Sequence, residues 1–491
     1  MLAMGQQANA QTVSDYKALV CVFLYGGNDT YNTVLATDTA SWAAYTAVRN
    51  QQPSPLNLMA PGTAADASLS MTDPKAWGGV LPLSPVTAIA GRSLALHPML
   101  GRLQTAFNTD RRLAIVANVG TLTQPLTKDQ YNALASKGTT SANGVSMPRK
   151  LFSHNDQQNT WQAFAPEGAT VGWGGQLVDA FKGSNANAYA SISLGGNAVW
   201  LSGKDVRQYQ IGTSGPVVMG GSSTSVYGST AVSNALRRIA SNGLSGTGAT
   251  GKARASHVLM ADLGVVGQHS IDAEAAMLSA FNSTQPASDS RIGPASRAQY
   301  NSIYGGAAQN NPLALQLQAV ARVIASRASL GAGRQVFFVQ MSGFDTHDNQ
   351  NVNHAELMIK LNQALGYFDD TLGLLGVQNK VTTFTASDFG RTFTSNGDGT
   401  DHGWGAHHFV MGGAVDGGKV FGSFPTLAAK NTADNNFDGS TDQLLNGVLL
   451  PKISVDQYGA TLASWFGVSD LDAVFPNLKN FSSRNLGFMK A

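Results

Sequence analysis

Cysteine is almost absent from this chain, since Cys21 is the one cysteine among its 491 residues. A disulfide within the chain and a cysteine-rich metal site are therefore both excluded. Cys21 lies in the apolar stretch Ala18–Tyr25, where we expect a buried core thiol rather than a reactive one.

Charge is also scarce, with 13% charged residues and a formal net charge of +2. Such a balance gives no strong electrostatic field, so neither nucleic acid nor an anionic membrane is favoured as a partner. No apolar run approaches the ~20 residues that a transmembrane helix needs. The 43% of hydrophobic residues are ample for a large core, which one extended α/β sheet would fill.

The first ten residues, MLAMGQQANA, lack a basic start and a full apolar segment. Ala8 and Ala10 nevertheless form the small-residue pattern of a signal-peptide cleavage site before Gln11. We interpret residues 1–10 as a signal-peptide remnant and residues 11–491 as the mature domain, an ordinary N-terminal segment being the alternative. The protein is thus expected to be periplasmic or secreted.

Short, almost continuously apolar runs alternate with segments of helical periodicity, and the runs are typical of buried parallel strands. This alternation predicts an α/β fold with a doubly wound, mostly parallel sheet flanked by helices. The predicted strands are Ala18–Tyr25, Leu113–Val119, Ala188–Leu194, Gln335–Met341, Val381–Thr385 and His408–Met411. The predicted helices are Pro312–Leu330, His354–Leu375 and Val455–Trp465.

The middle of the chain, residues 203–310, is rich in Gly, Ser, Thr, Asn and Gln. We predict that it is an insertion or cap on the main sheet, with helical pieces around Val232–Ala240 and Ile271–Phe281. The loop Lys430–Gln443 is rich in Asn and Asp but lacks the ligand spacing of an EF-hand, which favours a solvated loop.

Polar side chains follow three of the predicted strands. Asp29 follows the first strand, Asp345 and His347 follow Gln335–Met341, and Asp388 follows Val381–Thr385. In open α/β sheets the crevice beyond the carboxyl ends of the strands binds ligands. We therefore expect these side chains to converge, although Asp29 would also suit a turn or a helix cap.

Histidines cluster near the same loops, and carboxylates with neutral imidazoles suit Zn, Mn, Mg or Ca. His354 opens a predicted helix and is expected to support the site or lie on the surface. One of the adjacent His407 and His408 must point away if their segment is extended. The expected ligands of one or two divalent ions are Asp29, Asp345, His347, Asp388 and His402 or His407.

A nucleophile is available at the start of a helix-compatible segment, where Ser153 precedes His154 and Asp156. A metal would activate the serine, and backbone N–H groups would hold the attacked anion. Ser153 would equally suit a helix cap, so a metal-bound water is the alternative nucleophile. Lys150 and Arg391 are candidates for holding an anionic substrate. A dinucleotide-binding oxidoreductase is disfavoured, because no Gly-x-Gly-x-x-Gly follows the first strand.

Several strings resemble one bacterial family, domain of unknown function 1501, which is placed in the alkaline phosphatase and sulfatase superfamily. They are FLYGGNDTYNTV, SHNDQQNTW, GFDTHDNQ, the long SDFGRTFTSNGDGTDHGWGAHHFVMGGAVDGGKVFGSFP, ALHPMLGRL and VDQYGATLASWFGVS. The resemblance spans about Lys17 to Phe481. Members of the family typically carry twin-arginine export signals, although no twin arginine is present here.

The resemblance implies an alkaline phosphatase-like fold and an in-line attack on phosphate or sulfate esters, assisted by one or two metals. In the superfamily an acid after the first strand is a ligand, which Asp29 matches. Asp345 with His347 matches a later Asp/His pair loosely, and His402 or His407 would supply a downstream histidine. Asp388 matches a further acid, but Phe389 replaces its ligating partner. The resemblance assigns the superfamily's nucleophile to Ser153, although the usual surroundings of that nucleophile are not clearly reproduced here.

We therefore expect an exported, metal-dependent hydrolase acting on an anionic small-molecule or polymer ester, with Ser153, His154 and Arg391 as catalytic candidates. The alternative is a non-catalytic exported binding or assembly protein that retains the fold, which Phe389 favours. The sequence leaves open whether the protein is an enzyme.

Overall fold

The computed structural model describes residues 15–183, 189–216, 229–232, 234 and 273–490. The predicted signal remnant, the helical piece around Val232–Ala240 and much of the predicted insertion lie largely or wholly outside these ranges. Residues 273–283 are helical, which agrees with the piece expected around Ile271–Phe281. In the described ranges, no helix combines the length and apolar character needed to cross a membrane.

The strands and helices are numbered in chain order. The strands are β1 (Lys17–Tyr25), β2 (Val34–Ala36), β3 (Leu81–Pro82), β4 (Leu94–Leu96), β5 (Leu113–Gly120), β6 (Ser141–Ala142), β7 (Val145–Ser146), β8 (Ser191–Ser193), β9 (Tyr209–Gly212), β10 (Gly215–Pro216), β11 (Gln299–Tyr300), β12 (Gln309–Asn310), β13 (Arg334–Ser342), β14 (Val381–Ser387), β15 (Ala406–Met411), β16 (Val420–Phe421) and β17 (Ile453–Ser454). Besides the helical residues 273–283, the numbered helices are α1 (Thr30–Thr33), α2 (Thr39–Arg49), α3 (Gly101–Asn108), α4 (Lys128–Ala135), α5 (His154–Ala163), α6 (Trp173–Asp179), α7 (Pro312–Ala325), α8 (Gln350–Leu374) and α9 (Val455–Phe466).

A large central sheet has the strand order β10-β9-β8-β13-β1-β14-β15-β5-β16, and β17 also pairs with β5. Its pairings are mostly parallel, except that β15 is antiparallel to both neighbours and β10 is antiparallel to β9. The prediction of a mostly parallel sheet flanked by helices is confirmed, and each predicted strand is present. Of the predicted run Ala188–Leu194, the described residues 189–194 contain β8.

The register of β1 positions the loops that matter. Its last residues pair with the ends of both parallel neighbours, Tyr25 with Ser342 and Leu24 with Ser387. Three strands therefore end at the same edge of the sheet. Because β15 runs the opposite way, the loop that leads into it reaches this edge as well.

Both faces of β1 are buried, which explains why its sequence is apolar at successive positions rather than alternating. Val20 and Leu24 pack into the core beneath α7 and α8, whereas Cys21 and Phe23 pack into the core beneath α6 and α9. Each fully buried side chain of this size contributes about 1.5–3 kcal/mol. Cys21 is a buried core thiol, as predicted, and burial raises its pKa.

Local capping signals define the helices on these faces. Asn311 accepts hydrogen bonds from the first turn of α7, and Pro312 occupies its first position. Ser454 and Gln457 form a reciprocal capping box at the start of α9, and Gly467 ends that helix with a φ of 107°. These caps fix where α7 begins and where α9 begins and ends.

Candidate metal centre

Four polar segments meet at the edge where the strands end. Asp345 and His347 lie in the loop after β13, Asp388 follows β14, and His402 lies in the loop before β15. His154 is the first residue of α5. The convergence expected from the sequence is therefore present for these five side chains.

Three imidazoles surround one carboxylate oxygen. The Nε2 atom of His347 lies 3.1 Å from Asp345 Oδ1, and the Nε2 atoms of His154 and His402 both lie 3.5 Å from it. One donor atom each from His154, Asp345 and His402 lies within 4.8 Å of the others. Because zinc ligands sit about 2.0–2.1 Å from a tetrahedral ion, neighbouring ligand atoms are about 3.4 Å apart. The spacing of these three residues therefore fits a shared cation, and His347 lies next to them, 3.1 Å from Asp345 Oδ1 and 3.0 Å from His402 Nε2.

Each of these histidines is fixed through its other ring nitrogen. His154 Nδ1 lies 2.7 Å from Asp388 Oδ2, His347 Nδ1 lies 3.2 Å from Asp401 Oδ1, and His402 Nδ1 lies 2.8 Å from the Phe152 carbonyl oxygen. Ionised carboxylate and carbonyl oxygens only accept hydrogen bonds. Each Nδ1 therefore carries the hydrogen, and each Nε2 presents a lone pair to the space around Asp345.

The lone pairs would repel one another unless a cation or a proton lay between them. His347 Nε2 and His402 Nε2 are 3.0 Å apart, and if both rings are neutral with Nδ1 donating, neither Nε2 offers a hydrogen. His154 Nε2 is buried and has no hydrogen-bond partner. A buried, unpartnered acceptor is costly, so a divalent ion held by these residues would satisfy the cluster.

Burial and neighbouring groups shift the pKa values of three candidate ligands, and the directions differ. Burial raises the pKa of Asp345, but the hydrogen bond and charge of Arg391 outweigh it and lower that pKa overall. Burial lowers the pKa of His402, so its ring is neutral. The hydrogen bond to Asp388 raises the pKa of His154 despite burial, which makes its imidazole a more basic ligand.

Arg391 holds the strand-end loops together instead of facing an open substrate site. Its side chain is fully buried, and its Nη2 donates to Asp345 Oδ1. Its Nε, Nη1 and Nη2 also donate to backbone carbonyl oxygens, those of Gly26, Gly27, Phe344 and Thr400. The expectation that Arg391 holds an anionic substrate is therefore replaced, because this residue braces Asp345.

Phe389 lies against the imidazoles. Its ring centroid is 4.8 Å from that of His154 and 4.7 Å from that of His402. Gly27, with a φ of 87°, makes room for it, since a Cβ there would lie 2.5 Å from the Phe389 ring. Phe389 thus forms the wall against which the rings of two candidate ligands pack.

Asp388 lies behind His154. Its Oδ2 accepts hydrogen bonds from Gly26 N at 3.2 Å and from Gln158 Nε2 at 2.8 Å, in addition to the His154 contact. Its side chain is completely buried. Asp388 therefore orients a ligand through Oδ2, and we place it with the orienting residues instead of the expected ligands, although its Oδ1 is buried without a hydrogen-bond partner. His154 moves from the catalytic candidates to the ligands.

Asp29 forms a buried ion pair instead of joining the histidine cluster. Arg49 forms a bidentate, fully buried ion pair with it, with Nη1 2.5 Å from Oδ2 and Nη2 3.0 Å from Oδ1. Gln350 Nε2 donates to Oδ2 at 2.6 Å, and Asp29 also caps α1. Because Arg49 neutralises the carboxylate, the expectation that Asp29 is a metal ligand is corrected. Burial opposes its ionisation, but Arg49 lowers its pKa.

In the described part of the chain, the remaining histidines are buried. His407 Nδ1 accepts a hydrogen bond from Asn118 N at 3.0 Å, and burial lowers its pKa to about 3. His402, not His407, is therefore the histidine of this loop that joins the cluster. His354 is buried with Nε2 3.1 Å from Asn28 Oδ1, so it is not a surface residue.

Ser153 occupies the residue before α5, and its hydroxyl donates to Asp156 Oδ2 at 2.8 Å. Lys150 Nζ lies 3.3 Å from Asp156 Oδ1. Both side chains thus bind Asp156. Their expected roles, as nucleophile and as anion-binding residue, gain no support from these contacts.

Sequence reasoning missed three partners of the histidines. Gln158 lies one helical turn after His154, and this spacing was the available signal. Asp401 directly precedes His402 in the sequence, but nothing there indicates that it bonds to His347. The contribution of Phe152 is its backbone carbonyl, which no side-chain pattern can reveal.

Comparison with known proteins gives one family. A family model described as "Protein of unknown function (DUF1501)" matches residues 16–445, whereas no curated protein sequence matches the chain. Among solved structures, the chain is similar to one titled "Crystal structure of Ps i-CgsB in complex with k-i-k-neocarrahexaose", with a TM-score of 0.30 and 8% identity. The likeness covers 95% of this chain and 77% of that one, but at this TM-score it supports no conclusion about function.

Proposed function

The chain belongs to the family described as protein of unknown function DUF1501, and we propose that it is a metal-dependent hydrolase of phosphate or sulfate esters. One observation carries the proposal. His154, His347 and His402 are each fixed at Nδ1 by an oxygen acceptor, and each directs Nε2 towards Asp345.

The donor set narrows the choice of metal. Three imidazoles and one carboxylate suit zinc and its transition-metal neighbours, including manganese. Calcium and magnesium prefer sets made of oxygen ligands, so they fit this cluster less well than the sequence allowed. We propose one zinc-like ion bound by His154, His347, His402 and Asp345.

When bound, such an ion would have to accept a water as a fifth ligand, and it would lower the pKa of that water and offset negative charge on the ester. The side chains of Asp345 and His347 are 48% and 40% exposed, so an ester has access from solvent. Arg391 and Asp388 would hold Asp345 and His154 in place during the reaction. Since the Ser153 hydroxyl is bonded to Asp156, we favour water as the nucleophile.

The proposal also includes an alkaline phosphatase-like fold and export from the cell. The cluster lies beyond the carboxyl ends of parallel strands, which agrees with such a fold. The sequence resemblance supports both.

Metal removal and restoration test the hydrolase directly. Protein treated with a chelator should hydrolyse neither 4-nitrophenyl phosphate nor 4-nitrophenyl sulfate, and zinc or manganese should restore activity on at least one. Activity should be lost in His402→Ala and retained in His407→Ala. Failure of every metal to support turnover, in protein shown to bind one ion, would contradict the proposal.

A second function is favoured by the number of donors. Four protein ligands fill a tetrahedral site, which is typical of structural rather than catalytic zinc. The protein would then be a non-catalytic binding or assembly protein in which the ion fixes the strand-end loops. One tightly bound ion per chain, a large rise in Tm on loading and no ester hydrolysis would favour this function.

A further inference from the structure

A cavity of about 430 Å³ opens beside the metal centre, and His347 and His402 are part of its wall. We propose that this cavity receives an apolar leaving group, so that the substrates are monoesters of aryl or alkyl alcohols rather than polyanionic esters. This inference rests on the proposed hydrolase. The volume of the cavity lies in the range of about 300–1,000 Å³ that is usual for small-molecule sites.

The wall is mainly hydrophobic away from the histidines. The apolar and aromatic residues that line it are Tyr131, Phe152, Leu444, Leu445 and Val448. A phosphate or sulfate bound at the metal would place its ester oxygen near His347 and His402, and the attached group would extend along this wall. Transfer of an apolar group from water to such a surface is favourable.

The charge of the wall disfavours a second anionic group. None of the described residues that line the cavity is a lysine or an arginine, whereas Asp401 contributes a carboxylate. A substrate with further sulfates, phosphates or carboxylates on its leaving group would face Asp401 without a compensating cation. The sequence predicted an anionic substrate, and the cavity restricts this prediction to substrates with one anionic group, the phosphate or sulfate held at the metal.

The apolar wall is connected to the metal ligands. Phe152 lines the cavity, and its carbonyl oxygen accepts the hydrogen bond from His402 Nδ1 at 2.8 Å. Its φ of 69° lies in the left-handed region, as does the φ of 57° at Asn446 on the same wall. Non-glycine residues persist there only when their surroundings hold them. Phe152 thus fixes His402 and one side of the cavity with a single backbone conformation.

Leu445 offers a clean test because it lies on the cavity wall but remains 57% exposed. A polar residue there would remove apolar contact with a leaving group at little cost to folding. Leu374, the last residue of α8, is 56% exposed and is not among the residues that line the cavity. Leu374→Asp is therefore the matched control for Leu445→Asp.

The test compares zinc-loaded wild type with the two variants, using 2-naphthyl phosphate and sulfate against glucose 6-phosphate and 6-sulfate. Binding of 2-naphthol alone, measured by calorimetry, is the readout that needs no catalysis. We expect Leu445→Asp to raise the KM of the naphthyl ester and the Kd of 2-naphthol roughly tenfold, the scale of a lost apolar contact in a specificity pocket. The KM of the glucose ester and all values for Leu374→Asp should change little.

The outcomes separate this inference from the proposed function. Ester hydrolysis that does not depend on Leu445, or a wild type that prefers the glucose esters, would overturn the apolar leaving-group pocket and leave the hydrolase standing. Naphthol binding that Leu445→Asp weakens, without hydrolysis of any ester, would support an apolar pocket and overturn the hydrolase.

Discussion

His154 and Asp388 form a hydrogen bond of 2.7 Å between Nδ1 and Oδ2, and the aspartate side chain is completely buried. This bond decides which ring nitrogen of His154 faces Asp345. The residue after β14 thereby acts on the candidate centre through the first residue of α5.

Replacement of Asp388 by asparagine should weaken metal binding without removing a ligand. The amide is a poorer acceptor than the carboxylate, so His154 would lose its fixed tautomer and some basicity. Loss of such a supporting partner typically weakens metal affinity about 10–100-fold, and zinc competition with a chromophoric chelator would measure it. Asp416→Asn, which breaks a surface ion pair with Lys419, is the control. Equal affinities in the two variants would contradict the assignment.

His402 and His407 should respond differently to the same substitution. His402→Gln removes a proposed ligand, so metal stoichiometry, measured by elemental analysis, should fall from one ion per chain towards zero. His407→Gln changes a buried histidine that accepts a hydrogen bond from Asn118, so Tm should fall while the ion is retained. Loss of the ion from the His407 variant alone would reverse the assignment.

The Asp29–Arg49 pair should matter for folding and not for metal binding. Asp29→Asn leaves the fully buried Arg49 guanidinium without its counter-ion, and breaking a buried pair costs about 3–5 kcal/mol. The free energy of unfolding, from urea titration, should fall by that order. Replacing both partners, as in Asp29→Leu with Arg49→Met, should recover part of the loss.

Metal affinity in Asp29→Asn provides the second readout, measured on the fraction that remains folded. It should match that of wild type. A loss as large as that of Asp388→Asn would return Asp29 to the ligand set that the sequence predicted.

Asp456 should make stability depend on pH far from the metal centre. Burial raises its pKa to about 6, although hydrogen bonds from Asn477 oppose the rise. Because this pKa is raised above its unfolded value of 3.8, the folded state holds the proton more tightly. The stabilisation by neutral Asp456 is complete below about pH 4 and is lost as pH rises to about 6.

Asp456→Asn removes this titration. The difference in unfolding free energy between variant and wild type should shift by about 2 kcal/mol in favour of the variant between pH 4 and pH 7. Urea titrations at pH 4, 5, 6 and 7 would measure it. A difference that stays constant across these pH values would show that Asp456 does not titrate in this range.

The fold could be predicted because its strands are long, apolar and buried on both faces. Runs such as Val381–Thr385 have few other stable structures in water. The edge strands were not predicted, since β10 and β16 have two residues each and a pattern so short carries no periodicity. The antiparallel direction of β15 depends on loop length and packing, which the apolar pattern does not encode.

The site could be predicted to the level of residue type and location. Asp345, His347, Asp388 and His402 lie where strand ends predicted them. The roles of Asp29 and Asp388 could not be predicted, because they depend on which partner reaches each carboxylate. Arg49 on α2 reaches Asp29 only in the folded chain, and no sequence pattern links the two. His402 and His407 are the same residue type in the same segment, and only the direction of each side chain in the folded protein distinguishes them.

X-ray absorption spectroscopy of the zinc-loaded protein tests the central claim most directly, since it reports the atoms bound to the ion. The structure predicts three imidazoles and one carboxylate at about 2.0–2.2 Å, and one fewer imidazole in His402→Gln. A shell made of oxygen ligands, or a shell that is unchanged in that variant, would show that the ion is not held by the histidines around Asp345.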